Sequence, residues 1–316
     1  MSFKYINPGY ANLLDVAGGT TVTDATKSKT GVGFYQPMAG HGINLSETPT
    51  ELYGKFDVFL LHEGGSASYD FEVRVRIGGA NGIGIKRYSN VWYLTGYCNT
   101  YAQVSRSANP YYPDTLKSET GLVPNAINTI YFHSTPKVGD DNGNLSIWVN
   151  GTRIADYNYA ISFGASTTIE VYGTYASNII SNLILSDTEI HQREQVVILP
   201  VSTTETTMTA NLDGTYTASA ANQQILQGID TTSLIADYGA DSDIKGIAVI
   251  GNPAYRTAEG LAYLTGLDKH NDTVTQYGTK EVGTANTGGA IDSRAVSMKL
   301  SDLTGYKFGW KAGVGS

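Results

Sequence analysis

The stretch NLSIWVNGTRIADY, residues 144–157, is two alternating runs hinged on Asn150-Gly151. Leu145, Ile147 and Val149 fall on one side of the first run; Ser146, Trp148 and Asn150 fall on the other, which is the period of a strand. Asn-Gly accepts positive φ at both central positions, so the pair predicts a β-hairpin closed by a tight turn. Read alone, this hairpin is scaffold, the rim of a sandwich.

Working outward, the same texture continues. YDFEVRVRIGG alternates Phe71, Val73, Val75 and Ile77 with Asp70, Glu72, Arg74 and Arg76. ELYGKFDVFLLHE holds an apolar strand over Phe56–Leu61, and IGIKRYSNVWYLTGYCNTY predicts two strands about Ser89-Asn90. NTIYFHSTPKV is a strand ended by Pro136, and TTIEVYG and ISNLILSDTEI supply two more. Many short strands with Gly, Asn and Pro punctuation predict a sandwich or jelly roll.

Composition agrees. Only 16% of the 316 residues are charged, whereas Gly (36) and Tyr (22) are abundant, and amphipathic helices with charged outer faces are missing. A net charge of −8 without a basic cluster argues against nucleic-acid binding. Cys98 is the single cysteine, which excludes an intrachain disulfide or a cysteine-based zinc site. MSFKYINPGYANLLDV is not a secretory signal pattern, and no apolar run approaches the roughly 20 residues of a membrane span. The expectation is a protein of a virion or cell surface, without membrane insertion.

LSIWVNGTRI, TTIEVYG and SNIISNLILSDTEI together resemble the closing strands of concanavalin A-like, laminin-G-type jelly rolls. GVGFYQP and ELYGKFDVFLL sit where such domains place early strands. The resemblance implies an all-β sandwich over residues 1–196, a fold shared by lectins, hydrolases and adhesion modules. Near REQVVILPVSTTETTMTA the texture changes, and 197–316 reads as a smaller β-rich module for attachment or assembly. It contains an Asp213-Gly214 hairpin, a strand over Ile247–Ile250 and a short helix within NPAYRTAEGLAYLTGL. This module resembles segments of phage-like and surface proteins of anaerobic bacteria.

Catalysis is not expected. Asp70 and Glu72 have the same-face spacing of a glycosidase pair, the basis of an alternative reading as a polysaccharide-cleaving enzyme. Arg74 and Arg76 follow on that face and would lower carboxylate pKa values, the wrong direction for a general acid. The five histidines stand in no nucleophile or zinc motif. Asp140, Asp141, Asn142 and Asn144 gather oxygen donors that calcium accepts, although solvated turns use the same residues. Laminin-G-type domains often hold calcium at the sandwich rim, so the resemblance admits calcium as the one possible cofactor.

Aromatic crowding is the remaining signal. Tyr88, Trp92, Tyr93, Tyr97, Tyr101, Tyr111 and Tyr112 lie within 25 residues. Tyr93, Tyr97 and Tyr101, with Arg74 and Arg76 on a neighbouring strand, are the candidate contacts for a glycan or a partner protein: rings for sugar C–H faces, guanidinium forks for acidic groups. The expected function is a non-catalytic virion or cell-surface adhesion protein. Its jelly roll would bind a glycan or receptor, and self-association or packing with other surface proteins would hold it in place. A purely structural, self-assembling protein is the alternative.

Overall fold

The computed structural model describes residues 3–13, 20–44, 49–61, 73–78, 81–88, 91–97, 120–159, 168–173, 178–191, 194–199, 201–257, 260–285 and 289–314. The chain forms two compact units, Met1–Val197 and Ile198–Ser316. It is all-β in class, an antiparallel β-sandwich followed by a smaller β-rich unit. Among the described residues no helix is long and apolar enough to cross a membrane.

The first unit contains β1 (Phe3–Asn7), β2 (Thr20–Thr23), β3 (Val32–Asn44), β4 (Leu52–Phe59), β5 (Val73–Gly78), β6 (Asn81–Tyr88), β7 (Val91–Tyr97), β8 (Ile127–Thr135), β9 (Gly143–Val149), β10 (Thr152–Tyr159), β11 (Thr168–Gly173) and β12 (Ile179–Ser186). Their ladder runs β10-β9-β8-β4-β12-β3-β11-β5-β6-β7. Long β3 carries it from one arm to the other: Phe34 pairs with Ile180 of β12, and Gln36–Asn44 pair with β11. The arms then fold face to face. Tyr157 of β10 lies against Gly96 of β7, where a Cβ would stand 2.3 Å from Tyr157 Cδ2.

Strand alternation builds the interior. Leu52, Phe56, Val58, Ile130, Phe132, Leu145, Ile147 and Val149 are buried from one arm; Val73, Val75, Ile77, Ile83, Ile85 and Leu94 are buried from the other. Such matched apolar faces are what two sheets need to pack. The Asn150-Gly151 hairpin forms as read, with φ of 50° and 85° and Val149 opposite Thr152. Its tip is tied down: Asn150 N–H donates to Thr129 O at 2.8 Å, and Thr129 N–H donates to Asn150 Oδ1 at 2.9 Å. The last strand, β12, pairs with β4 over Tyr53–Phe59 and with β1, the first strand.

The second unit has β13 (Val201–Thr206), β14 (Thr209–Ala210), β15 (Tyr216–Thr217), β16 (Gln224–Ile229), β17 (Asp243–Gly251), β18 (Tyr263–His270), β19 (Thr273–Glu281), β20 (Ala290–Lys299) and β21 (Tyr306–Gly313). A sheet β13-β16-β21-β18-β19 and the ribbon β17-β20 enclose Ile247, Val249, Val296, Leu303, Phe308 and Trp310. Asp213-Gly214 closes the ribbon β14-β15, with Gly214 at φ 82° and Leu212 exposed. The expected short helix lies elsewhere. Residues 252–257 and 260–262 are not helical, and Tyr263–His270 is a strand held between β19 and β21. The helix α1 is Thr232–Tyr238, where Asp230 Oδ1 accepts the Thr232 N–H and Leu234 enters the core. Pairing on both edges of Tyr263–His270 outweighs its local preference.

Candidate functional site

The residues singled out from the sequence fall mostly on the second arm. Arg74 and Arg76 stand on β5 and Tyr93 and Tyr97 on β7, with β6 between the two strands rather than side by side. Arg74 is opposite Gly84, which is opposite Thr95, so one cross-strand row joins them. Tyr93 is half-buried, and Thr95 beside it is only 1% exposed. Tyr101, Asp70 and Glu72 lie outside the described residues.

Asp140 and Asp141 sit in an exposed turn closed by paired hydrogen bonds between Val138 and Asp141, both 3.1 Å. Asn142 follows, exposed, and Asn144 Oδ1 lies 3.0 Å from Ser146 Oγ. Among the described residues no group of three or more His, Cys, Asp or Glu is placed to hold a metal ion.

A second constellation, spread over four strands, covers the outer face of the first arm. Because side chains alternate, the strands that bury Leu52, Phe56, Phe132 and Ile147 turn Tyr53, Lys55, Tyr131, His133 and Trp148 the other way. Register aligns them. Lys55 of β4 is opposite Tyr131 of β8, Tyr131 is opposite Trp148 of β9, and Trp148 is opposite Arg153 of β10. Directly opposed pairs on one face are close enough for their side chains to interact. Tyr131 meets Trp148 edge to face, centroids 5.0 Å apart at 68°. The Arg153 guanidinium lies 5.3 Å from the Trp148 ring centroid, a cation–π arrangement.

A parallel row begins with Tyr53, which stacks on His133 at 4.2 Å and 5°. Tyr53 Oη donates to Glu51 Oε2 at 2.6 Å. Burial, then this carboxylate, pushes the Tyr53 phenol up to about 12. His133 is opposite Ser146, and Ser146 is opposite Asp156. The Ser146 hydroxyl donates to Asp156 Oδ1 and accepts from Arg153 Nη2 at 3.1 Å; Arg153 also pairs with Asp156. The face therefore offers a half-buried indole, a stacked His–Tyr pair and a fixed set of donors and acceptors.

Its other end is deeper. Lys55 is 3% exposed, and burial holds its ammonium below the ordinary lysine range, with nearby Asp57 opposing that fall. Tyr131 is also buried, which raises its phenol pKa, and the charges of Glu189 and Glu194 act in the same direction. The segment that follows β12 thus bounds this end; Val196 N–H donates to Asn182 Oδ1 at 2.7 Å. Sequence reading missed the constellation because its members come from four separate stretches. Only the outward side of the opening hairpin, Ser146 and Trp148, signalled part of it.

No protein-family model matches the chain, and no curated protein does. Among solved structures the chain is similar to sheep galectin-11 in complex with glycerol, at 13% identity over 47% of this chain and 98% of that chain, TM-score 0.30. An alginate lyase from Chlorella virus is similar at 10% identity over 58% and 91%, TM-score 0.33. A botulinum neurotoxin type C structure, described for cell entry through two ganglioside molecules, is similar at 13% identity over 93% and 78%, TM-score 0.31. The sandwich itself stands on the strand register given above.

Proposed function

We propose that the first unit is a non-catalytic carbohydrate-recognition module of a virion or cell surface, binding on the outer face of β4, β8, β9 and β10. The observation that carries this reading is the in-register row Tyr131–Trp148–Arg153. A half-buried indole presents a ring to the apolar C–H face of a sugar, and the Arg153–Ser146–Asp156 set beside it serves hydroxyls. Those groups are held by hydrogen bonds among themselves, so little ordering remains to be done on binding. The second unit is the part that attaches the module.

The test is a glycan array probed with wild type, W148A and the double variant Y93A/Y97A. W148A is expected to lose binding while still unfolding cooperatively, at a lower melting temperature because its contacts with Tyr131 and Arg153 are removed. Y93A/Y97A is expected to retain binding. Unaltered binding by W148A overturns this face; loss by Y93A/Y97A alone moves the site to the other arm.

One observation favours a second reading, self-assembly: β13 lies at a sheet edge with every residue exposed and a single charge, Glu205. Unblunted edges of that kind pair with other chains. Light scattering at high concentration separates the two, because a monomer at all concentrations removes assembly through β13.

A further inference from the structure

Asn-Gly or Asp-Gly pairs occur at Asn81, Asn142, Asn150 and Asp213. Such a pair carries its own reaction: the glycine nitrogen can attack the carbonyl carbon of the preceding side chain, and glycine has no side chain to screen that nitrogen. Whether the reaction runs depends on what holds each pair, and the fold treats the four differently.

Three are held. Asn150 is fixed through both polar atoms of its side chain: Oδ1 accepts the Thr129 N–H at 2.9 Å, and Nδ2 donates to Gly121 O and Asn128 Oδ1, each at 3.1 Å. To turn its Cγ toward the Gly151 nitrogen, Asn150 gives up these bonds. The backbone of Asn81 and Gly82 lies within β6, opposite Tyr97 and Arg76 of the flanking strands. Asp213 Oδ1 accepts the Thr215 hydroxyl at 2.6 Å and its N–H at 3.0 Å, and these bonds hold the carboxyl below the usual aspartate range. Aspartate closes the ring from its protonated form, so the same bonds oppose the reaction there.

Asn142 differs. It is exposed, stands just before the first residue of β9, and its side chain has no hydrogen-bond partner among the described residues. The Val138–Asp141 bonds close the turn before it, and Gly143 enters the ladder opposite Tyr159 after it, so Asn142 lies between two fixed points and is held by neither. Strand ends of this kind open most readily. Gly143 itself is required, because a Cβ there would stand 2.3 Å from Thr135 O. The close approach that demands glycine thereby keeps the reactive pair in the chain.

We infer that Asn142-Gly143 is a modification site of the folded protein, converted by deamidation without an enzyme. The Gly143 nitrogen gives its proton to hydroxide and bonds to Asn142 Cγ; ammonia leaves, and a cyclic imide forms. Water then opens the imide at one carbonyl or the other, giving aspartate or isoaspartate. Either product places a third consecutive carboxylate after Asp140 and Asp141. Isoaspartate also adds a methylene to the main chain at the mouth of β9, the strand that carries Trp148.

The experiment is peptide mapping by mass spectrometry after incubating the full chain at neutral and mildly alkaline pH, native and in urea. Conversion is scored as a gain of one mass unit in each peptide, with isoaspartate confirmed by methyltransferase labelling. In the folded protein Asn142 is expected to convert about tenfold faster than Asn150 or more, the factor set by one net hydrogen bond, and faster still as pH rises. In urea, where Thr129, Gly121 and Asn128 no longer hold Asn150, the two rates should come together. Asn150 or Asn81 converting as fast as Asn142 in the folded protein overturns the site. So does an intact Asn142 under conditions that convert the unfolded chain. A gap that persists unchanged in urea overturns the role given to the fold.

Discussion

Asn182 Nδ2 donates to Asp57 Oδ2 at 2.8 Å, joining two residues 125 positions apart in the chain. Asn182 takes φ 52° at a bulge in β12, between Ser181 and Ile184, and it is this turn of the backbone that presents the amide to β4. Asp57 is fully buried, and Thr129 Oγ1 reaches the same carboxylate. D57A removes one acceptor from two fixed donors, so a loss of about 2–4 kcal/mol is expected. Calorimetry should show the first unit melting earlier; an unchanged transition would mean that water replaces the carboxylate without penalty.

The Tyr53–His133 stack is a cross-strand pair in perfect register. A double-mutant cycle with Y53A and H133A should return a coupling of about 0.5–1 kcal/mol. Additive single effects would show two independent surface rings.

Alkaline pH should weaken the first unit through Tyr157. Burial pushes this phenol up to about 12, against the Gly96 backbone and Thr95 hydrogen bonds, which favour phenolate. Between pH 10 and 12 the folded phenol keeps a proton that the unfolded one has lost. Its contribution is therefore complete below pH 10 and disappears as pH rises through 12, about 2–3 kcal/mol in all. Tyr53 adds to the same window. The stability difference between wild type and Y157F, followed by urea unfolding at each pH, should be flat up to pH 10 and fall above it.

In the second unit Asp268 is 2% exposed, and one oxygen takes Arg294 Nε at 2.8 Å, Arg294 Nη2 at 2.6 Å and Tyr277 Oη at 2.9 Å. R294A strands that carboxylate with only the phenol, an expected loss of about 3–5 kcal/mol. R294M/D268L, which removes both charges, should recover most of it. A double variant as weak as R294A would show that the network, not the unpaired charge, governs the loss.

Strand-period alternation made the sandwich legible. Leu145, Ile147 and Val149 are buried as the hairpin predicts, and so are Val73, Val75 and Ile77. What alternation cannot supply is which strand lies beside which. The aromatic crowd at 88–112 draws attention because its members are near in sequence, yet the Lys55–Tyr131–Trp148–Arg153 row is assembled only by register across four strands. The same hairpin that reads as scaffold presents Trp148 on its reverse side. Helix α1 escaped notice because seven residues with one buried side chain hold too little periodicity to see.

The position of β12 has a consequence for how the chain is made. Residues Ile179–Ser186 fill the gap between β4 and β1, so both strands lack a neighbour until nearly the whole first unit has emerged during synthesis. The β8-β9-β10 meander, closed by short turns, has its partners at hand early, whereas Phe3 must wait for Ser186. Translation order thus sets assembly order: a local three-strand nucleus first, the long-range zip last. A ribosome stalled before Ile179 would hold a nascent chain with two open strand edges, a substrate for chaperones rather than a finished domain.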